Sequence, residues 1–246
     1  MNYAIILSGG VGSRLGLDLP KQYYEIEGKT VIQYAIETIE KHKMIDGYVI
    51  VAAEEWREFI EKIVRKIEED NKTKKKFLGF AKPGANRQLS IYYGLLALED
   101  IAVEEDLVLV QDAARANTSM DLISRCLTLK SEEDGVMPVL PMKDTVYLSK
   151  DGKQVSELLN REQIFAGQAP ESFRLGKYLA ANEALLPEAI LMVNGSTEPA
   201  IMAGMNIKMI SGDENNYKVT TEADLKRFCT QFERRTNNPS LQCVEH

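Results

Sequence analysis

The chain has 246 residues, of which 44% are hydrophobic, and it can therefore bury a sizeable core within one α/β domain. Its formal net charge of −7 at pH 7 excludes a dedicated nucleic-acid binder or a basic membrane-surface protein, although a local cationic pocket stays possible. The three cysteines are scattered and form no C-x-x-C pair, which indicates a protein without disulfides or structural zinc. No apolar run approaches the roughly 20 residues that a membrane span requires. Together these features predict a soluble cytoplasmic protein.

The N-terminal region combines an apolar strand, a glycine-rich loop and two cations. Residues 3–7 form a short, branched and unalternating run, as expected for a parallel strand that is buried on both faces. The glycines between positions 9 and 16 allow backbone N–H groups to approach a ligand closely, and Arg14 and Lys21 add positive charge there. This combination suits a polyphosphate ligand.

Three other interpretations of this loop fit its residues less well than a polyphosphate site does. A dinucleotide fingerprint requires G-x-G-x-x-G leading into a helix. Gly10, Gly12 and Gly16 instead follow the spacing G-x-G-x-x-x-G and lead to Pro20. A Walker A loop would require a glycine at the position of Tyr23. A simple turn between a strand and a helix stays an alternative, but it gives the two cations no packing purpose.

Strand and helix patterns alternate through the first half of the chain. Thr30 is predicted to cap an amphipathic helix that ends near His42, where a cation suits the helix dipole. Further strands are predicted at 48–53, 77–81 and 107–110, with helical patterns after each of them. This alternation predicts a doubly wound, mostly parallel sheet whose ligands lie beyond the carboxyl ends of the strands.

The pattern changes after Gly135. Residues 145–148 and 155–159 predict a β-hairpin outside the alternation, and its apolar edge would be covered most simply by a second copy of the chain. Helices are expected at 175–186 and 199–205, a strand at 207–210, and a capping box at Thr221 and Asp224 that opens the last helix. A single domain is predicted for 1–235, with an arm at about 140–162 and a flexible tail at 236–246.

Several short motifs are spread over residues 3–230. They are Gly9-Gly10-Val11-Gly12-Ser13-Arg14-Leu15-Gly16, Leu19-Pro20-Lys21-Gln22-Tyr23, Asn86-Arg87 with Ser90, Asp112-Ala113-Ala114-Arg115, Lys143-Asp144-Thr145, Gln168-Ala169-Pro170 with Phe173, and Asn216-Tyr217-Lys218-Val219-Thr220-Thr221. Each motif is weak alone, but together they are highly specific. They resemble those of the cytidylyltransferases that activate polyol phosphates, namely the 2-C-methyl-D-erythritol 4-phosphate and ribitol 5-phosphate branches.

This resemblance implies a Rossmann-like nucleotidyltransferase sheet with a protruding dimerisation hairpin, a homodimer, and CTP, a polyol phosphate and Mg²⁺ as ligands. Its branches serve isoprenoid synthesis and cell-surface polymer synthesis. The roles that it implies are triphosphate contacts and catalysis for Arg14, Lys21 and Lys218; nucleotide binding for Ser8, Gly9, Gly10, Gly12, Ser13, Gly84, Ala85, Asn86, Arg87, Ser90 and Asp112; and polyol-phosphate binding for Arg115, Thr145 and Arg161, the last from the other subunit.

Asp112 is also the candidate to help hold Mg²⁺, through a carboxylate oxygen or a bound water. Two alternatives stay open for Asp112: a cap of the next helix or an ion pair with Arg115. The chain departs from the family pattern on its acceptor side, because Glu171 ends the Gln-Ala-Pro motif and residues 196–199 replace an expected Thr-Asp pair.

The implied chemistry requires no general base, because a phosphate monoester is largely dianionic at neutral pH. It requires positioning and positive charge around the α-phosphorus of CTP. Asn160-Arg161 resembles the ribitol branch slightly more than the isoprenoid branch. Because the positions around Thr197 and Glu198 also depart from the family, 2-C-methyl-D-erythritol 4-phosphate is expected to be a poorer acceptor than ribitol 5-phosphate or a related linear sugar or polyol phosphate. The alternatives are a nucleotidyltransferase of the same fold that uses another nucleotide or sugar phosphate, and a nucleotide-binding module without catalysis.

Overall fold

The computed structural model describes residues 1–10, 19–71 and 75–237 of the chain. Its strands are β1 Asn2–Leu7, β2 Glu25–Ile26, β3 Lys29–Thr30, β4 Gly47–Val51, β5 Phe77–Ala81, β6 Leu107–Asp112, β7 Gly135–Pro141, β8 Val146–Leu148, β9 Glu157–Leu159, β10 Phe165–Gly167, β11 Glu171–Arg174 and β12 Ile207–Ser211. Its α-helices are α1 Val31–Lys41, α2 Glu54–Asn71, α3 Arg87–Leu96, α4 Met120–Cys126, α5 Leu175–Glu183, α6 Glu198–Met202 and α7 Glu222–Asn237. Short 3₁₀ helices lie at Lys21–Tyr23, Arg161–Gln163 and Ala189–Met192. None of the described helices is long and apolar enough to cross a membrane.

An eight-stranded sheet forms the centre of the molecule, in the order β10-β7-β11-β6-β1-β4-β5, with β12 beside β7. The neighbours β6, β1, β4 and β5 are parallel, and so are β7 and β12. Strand β11 runs antiparallel to both β6 and β7, and β10 runs antiparallel to β7. The predicted mostly parallel sheet is therefore confirmed.

Helices cover both faces of this sheet, as the unalternating apolar strands predicted. On β1, Ala4 and Ile6 pack with residues of α1, α2 and α4, such as Ile36 and Ile60. The intervening Ile5 packs against the opposite layer, which includes residues of α3 and α5. Two separate apolar cores thus hold β1 in place, so that the loop after it begins from a fixed point.

The register of the parallel strands brings the polar loops to one edge. Leu7 at the end of β1 pairs with Val51 and with Asp112, and Val51 pairs with Ala81 at the end of β5. The segments that follow positions 7, 81 and 112 therefore start side by side. This is the edge at which doubly wound sheets bind their ligands.

The predicted hairpin outside the alternation is present as a separate sheet. Strands β8 and β9 pair antiparallel, with Val146 opposite Leu159 and Leu148 opposite Glu157. Tyr147 and Leu158 are 56% and 62% exposed, so that the hairpin presents apolar surface to its surroundings. The use of this surface in a dimer stays a prediction.

Some predictions for individual residues were wrong. Thr30 occupies the N-cap position of α1, but its side chain makes no capping hydrogen bond and its hydroxyl oxygen is buried without a partner. His42 is buried and accepts the Met44 N–H at Nδ1, and burial lowers its pKa, which disfavours its charged form. The basic residue in the last turn of α1 is Lys41. Strands β10 and β11 were not predicted.

The last helix begins as predicted, with a reciprocal capping box. The Asp224 N–H donates to Thr221 Oγ1 at 3.2 Å, and the Thr221 N–H donates to the Asp224 carboxylate at 2.8 Å. Leu225 and Phe228 of α7 pack against Val219 and Val31, which places the helix beneath the segment that carries Lys218. The helix ends at Asn237, two residues beyond the predicted domain boundary, and residues 238–246 lie outside the described part of the chain.

Candidate active site

A cavity of about 470 Å³ opens at the carboxyl edge of the sheet. Its volume is within the usual range for a small-molecule or nucleotide site. The described residues that line it come from the loops after β1, β5 and β6 and from the segment before α7: Leu7, Gly9, Gly10, Lys21, Gln22, Gly84, Ala85, Asn86, Arg87, Ser90, Asp112, Ala113, Ala114, Lys218 and Thr220. Most of the predicted nucleotide-binding residues thus come together.

Gly9 lines the cavity directly after β1, and the buried Ser8 precedes it. The Ser8 N–H donates to the carbonyl oxygen of Val51, which continues the ladder of β1 and β4 for one further residue. A Cβ on Gly9 would lie 2.6 Å from Pro83 Cβ, so the two loops approach more closely than any other residue type permits. Gly12, Ser13 and Arg14, which were predicted to complete this loop, lie outside the described residues.

The segment before α3 forms a second wall with its own hydrogen bonds. Asn86 caps the helix, because its side chain accepts the Leu89 N–H at 2.8 Å. Ser90 Oγ accepts the Gly84 N–H at 2.9 Å and donates to the Asn86 carbonyl at 2.9 Å. A Cβ on Gly84 would lie 2.7 Å from the backbone carbon of Leu89. Asn86 and Ser90 therefore shape the predicted base-binding loop.

Asp112 is the centre of the charges in the site. Arg87 reaches its Oδ1 at 3.1 Å, while Lys218 and Arg115 lie 2.9 and 3.6 Å from its Oδ2. Burial alone would raise the pKa of Asp112, but the charges of Arg87, Lys218 and Arg115 hold this pKa below its usual range. An ionised carboxylate thus gathers three cations from three separate segments at the cavity.

These contacts decide between the alternatives for Asp112. The ion pair with Arg115 is present, whereas the following helix, α4, is capped by Ser119, whose side chain accepts the Leu122 N–H at 3.1 Å. In this arrangement cations engage both carboxylate oxygens of Asp112. Within the described ranges, no group of three or more His, Cys, Asp and Glu side chains could hold a metal ion.

The residues predicted for the polyol phosphate are dispersed. Arg115 lies next to Asp112 and donates to the Asn216 carbonyl at 2.5 Å, and burial lowers its pKa. Thr145 is exposed at the start of the hairpin, and Arg161 is exposed and donates to the Lys143 carbonyl at 2.9 Å. Within one described subunit, Thr145 and Arg161 do not line the cavity.

A buried carboxyl beside the site had no predicted role. Glu171 is 7% exposed and accepts hydrogen bonds from the Ser196 hydroxyl and, at 3.2 Å, from Thr197 Oγ1. Burial raises the pKa of Glu171, and the charge of Arg87 opposes this shift. The Glu198 carboxylate instead accepts the Asn194 N–H at 2.8 Å. Sequence spacing could not reveal this contact, because it joins β11 to a distant loop.

The profile of the 2-C-methyl-D-erythritol 4-phosphate cytidylyltransferases, IspD, matches residues 2–232. The chain belongs to this family. Its relatives are cytidylyltransferases, so the chain is a nucleotidyltransferase of this class. The resemblance noted in the motifs is thereby confirmed at the level of the family.

Relatives from both branches are similar to nearly the whole chain. A ribitol-5-phosphate cytidylyltransferase of Streptococcus agalactiae serotype III is 29% identical over 238 residues, which cover 96% of this chain and 98% of the relative. A 2-C-methyl-D-erythritol 4-phosphate cytidylyltransferase of Pseudomonas aeruginosa is 32% identical over 237 residues, which cover 94% of this chain and 95% of the relative. Identities this similar do not separate the two acceptors.

Solved structures agree with the fold of this cytidylyltransferase. The 4-diphosphocytidyl-2C-methyl-D-erythritol synthase of Anaerococcus prevotii has a TM-score of 0.78 at 23% identity and covers 95% of this chain, while 96% of that chain is covered. The Francisella tularensis 2-C-methyl-D-erythritol 4-phosphate cytidylyltransferase has a TM-score of 0.73 at 25% identity, with coverage of 94% and 99%. The eight-stranded sheet with helices on both faces is thus the fold of this family.

Proposed function

We propose that this cytidylyltransferase joins CTP to a polyol phosphate and releases pyrophosphate. A phosphate oxygen of the acceptor attacks the α-phosphorus of CTP, the new P–O bond forms, and the bond to the pyrophosphate oxygen breaks. The acceptor phosphate is already largely dianionic at neutral pH, so no general base is required. The demand on the protein is positioning and positive charge around the reacting phosphorus.

The observation that supports this proposal is the arrangement of cations on the cavity wall. Lys21, Arg87 and Lys218 all line the cavity, although they come from the beginning, the middle and the last part of the chain. Asp112 orders Arg87 and Lys218 through ion pairs before a ligand arrives, which reduces the reorganisation that phosphate binding requires. When phosphates bind, they can share these cations with Asp112.

The roles of the cavity walls follow from their chemistry. The loop 84–87, together with Ser90, provides backbone and amide groups held by Asn86 and Ser90, which suits the hydrogen-bonding edge of a cytosine. The glycines after β1 suit the triphosphate, because their backbone can approach it closely. Thr220, beside Lys218, extends the same wall.

We propose that Mg²⁺ is bound by the phosphates of CTP and not by Asp112, whose oxygens face three cations. A divalent ion would neutralise charge on the triphosphate and on the leaving pyrophosphate. Replacement of Asp112 by Asn should therefore leave the metal requirement in place. Chelation with EDTA should stop turnover in both the wild type and this variant.

For the acceptor, we propose ribitol 5-phosphate or a related linear polyol phosphate in preference to 2-C-methyl-D-erythritol 4-phosphate. The support is the altered acceptor side, where the Ser196 and Thr197 hydroxyls are engaged by Glu171. We further propose a homodimer in a cytoplasmic setting, in which the exposed hairpin brings Arg161 to the pocket of the partner subunit. An Arg fork can bind the acceptor phosphate in a bidentate manner.

The test of the acceptor is pyrophosphate release with CTP and each polyol phosphate, for the wild type and for Arg161→Ala. A clear preference for 2-C-methyl-D-erythritol 4-phosphate would refute the proposed acceptor. An unchanged acceptor KM in Arg161→Ala, or a monomer in sedimentation, would refute the shared site. Arg65→Ala is a matched control, because Arg65 is an exposed residue of α2 paired only with Glu61.

The nucleotide is tested by a thermal shift panel with CTP, UTP, GTP and ATP. Selective stabilisation by CTP supports the proposal, and selective stabilisation by another nucleotide favours a same-fold enzyme with different specificity. Binding of CTP without pyrophosphate release with any acceptor would favour a nucleotide-binding module.

A further inference from the structure

Gln22 fixes the short helix Lys21–Tyr23 to the end of β1. Its side chain is only 3% exposed, and Nε2 donates to the carbonyl oxygens of both Ser8 and Gly10 at 2.8 Å. Tyr23 strengthens the attachment, because its hydroxyl lies 3.0 Å from Ser8 Oγ. The short helix that carries Lys21 is thus held against the end of β1 by the side chains of Gln22 and Tyr23, the two residues that follow Lys21.

The hydrogen bonds from Gln22 affect how strongly this part of the loop repels a phosphate. Carbonyl oxygens carry partial negative charge, so a phosphate is repelled wherever a loop presents them to it. A carboxamide nitrogen has two N–H donors, and Gln22 donates them to the carbonyl oxygens of Ser8 and Gly10, the residues on either side of Gly9. The loop therefore has these two acceptors satisfied before any anion approaches.

The opposite side of the loop is equally constrained. Gly9 packs so closely on Pro83 that an added Cβ would lie 2.6 Å from the proline Cβ. Tyr23 is stacked on Trp56 with ring centroids 4.1 Å apart, which anchors the far side of the helix in the core. Residues 8–10 are therefore confined between the Pro83 segment and the Gln22 side chain, with little freedom to rotate their peptides.

We propose that Gln22 is a positioning residue that sets the affinity of the site for the triphosphate, by holding the Ser8 and Gly10 carbonyls and by keeping Lys21 at the cavity wall. The identity of the nucleotide rests on the proposed function. The role is specific to the phosphates, because the base-binding loop 84–87 and Ser90 have separate hydrogen bonds that do not involve Gln22.

The test compares binding of CTP and of cytidine, which lacks phosphates, by isothermal titration calorimetry. Gln22→Met keeps the length of the side chain and removes its donors. The matched control is Gln88→Met, because Gln88 is a second buried glutamine, whose Nε2 donates to Tyr178 Oη and Asn182 Oδ1 on the side of α5. Gln88 does not belong to the described lining of the cavity.

We expect Gln22→Met to raise the Kd for CTP about tenfold while the Kd for cytidine changes less than about twofold, since two loop carbonyls lose their donor. Gln88→Met should lower Tm and leave the preference for CTP over cytidine unchanged. Gln22→Glu is the second variant, in which a carboxylate faces the same two carbonyls, and it should lose still more CTP affinity than Gln22→Met.

Retention of the wild-type preference for CTP over cytidine in a folded Gln22→Met or Gln22→Glu protein would overturn the inference. An equal loss of this preference in Gln88→Met would also overturn it, since the effect would then be one of general stability. A wild-type protein that binds neither CTP nor cytidine would contradict the proposed function itself. The two failures are therefore distinguishable.

Discussion

Lys218 Nζ lies 2.9 Å from Asp112 Oδ2, so that the last segment before α7 is tied to the end of a central strand by one ion pair. Asp112 is almost fully buried, and its other oxygen is shared with Arg87. The carboxylate thus has a structural and an electrostatic role at once. It joins distant segments, and it orders the cations that face the cavity.

Asp112→Asn is expected to reduce the free energy of unfolding by about 3 kcal/mol, because cations gathered around a buried carboxylate lose their counter-charge. This loss is at the low end of the range for breaking a buried ion pair, since the Arg87 and Lys218 side chains are 32% and 37% exposed. Urea unfolding measures the change. The control is Asp121→Asn, whose exposed pair with Arg125 should contribute less than about 1 kcal/mol. Equal losses in both variants would contradict the central role of Asp112.

Lys21→Ala and Lys218→Ala are each expected to lower kcat by about 10²–10³-fold, as the loss of one donor to developing charge usually does. Both side chains line the cavity, so the fold should survive. Steady-state kinetics and circular dichroism provide the measurements. Lys226→Ala is the matched control, because Lys226 is an exposed residue of α7 whose ion pair, among the described residues, is with Glu222. Normal turnover in either cavity variant would remove that lysine from the mechanism.

Arg14→Ala is expected to raise the KM for CTP more than it lowers kcat. The reason is that a contact to the outer phosphates is similar in the ground state and the transition state. Initial rates over a range of CTP concentrations separate the two parameters. A fall in kcat at an unchanged KM would instead place Arg14 at the reacting phosphorus.

The buried carboxyl of Glu171 should leave a signature in the pH dependence of stability. Its pKa is raised in the folded protein by burial, so the folded state holds the proton more strongly than the unfolded state does. Stability from this group is therefore full below the unfolded pKa of about 4.3 and declines as the pH rises through the folded pKa. In Glu171→Gln this decline should be absent. Tm measured from pH 5 to pH 8 tests the difference, and parallel Tm curves for the two proteins would refute it.

The central sheet and most of the nucleotide site could be predicted from the sequence. Buried parallel strands are uniformly apolar, so β1, β4 and β6 were recognisable, and topology alone places their carboxyl ends together. The capping box at Thr221 and Asp224 is local, and it was recognised for the same reason.

The missed features depend on tertiary contacts. Strand β11 is only four residues long and includes Glu171 and Arg174, so it has neither an apolar run nor alternation. The cap at Thr30 failed although its residue type and extended backbone were suitable, because its hydroxyl is buried away from the helix N–H groups. The cluster around Glu171 forms only when a loop far along the chain packs on the sheet.

The packing of α7 has a consequence for the order in which the site is assembled. Gly9, Gly10 and Lys21 are synthesised first, but Lys218 and Thr220 follow at the far end of the chain, and their segment is supported by Leu225 and Phe228 of α7. A nascent chain still held on the ribosome with α7 in the exit tunnel therefore has one wall of its pocket missing. Nucleotide can therefore stabilise this pocket only after α7 has left the tunnel and packed beneath the Lys218 segment.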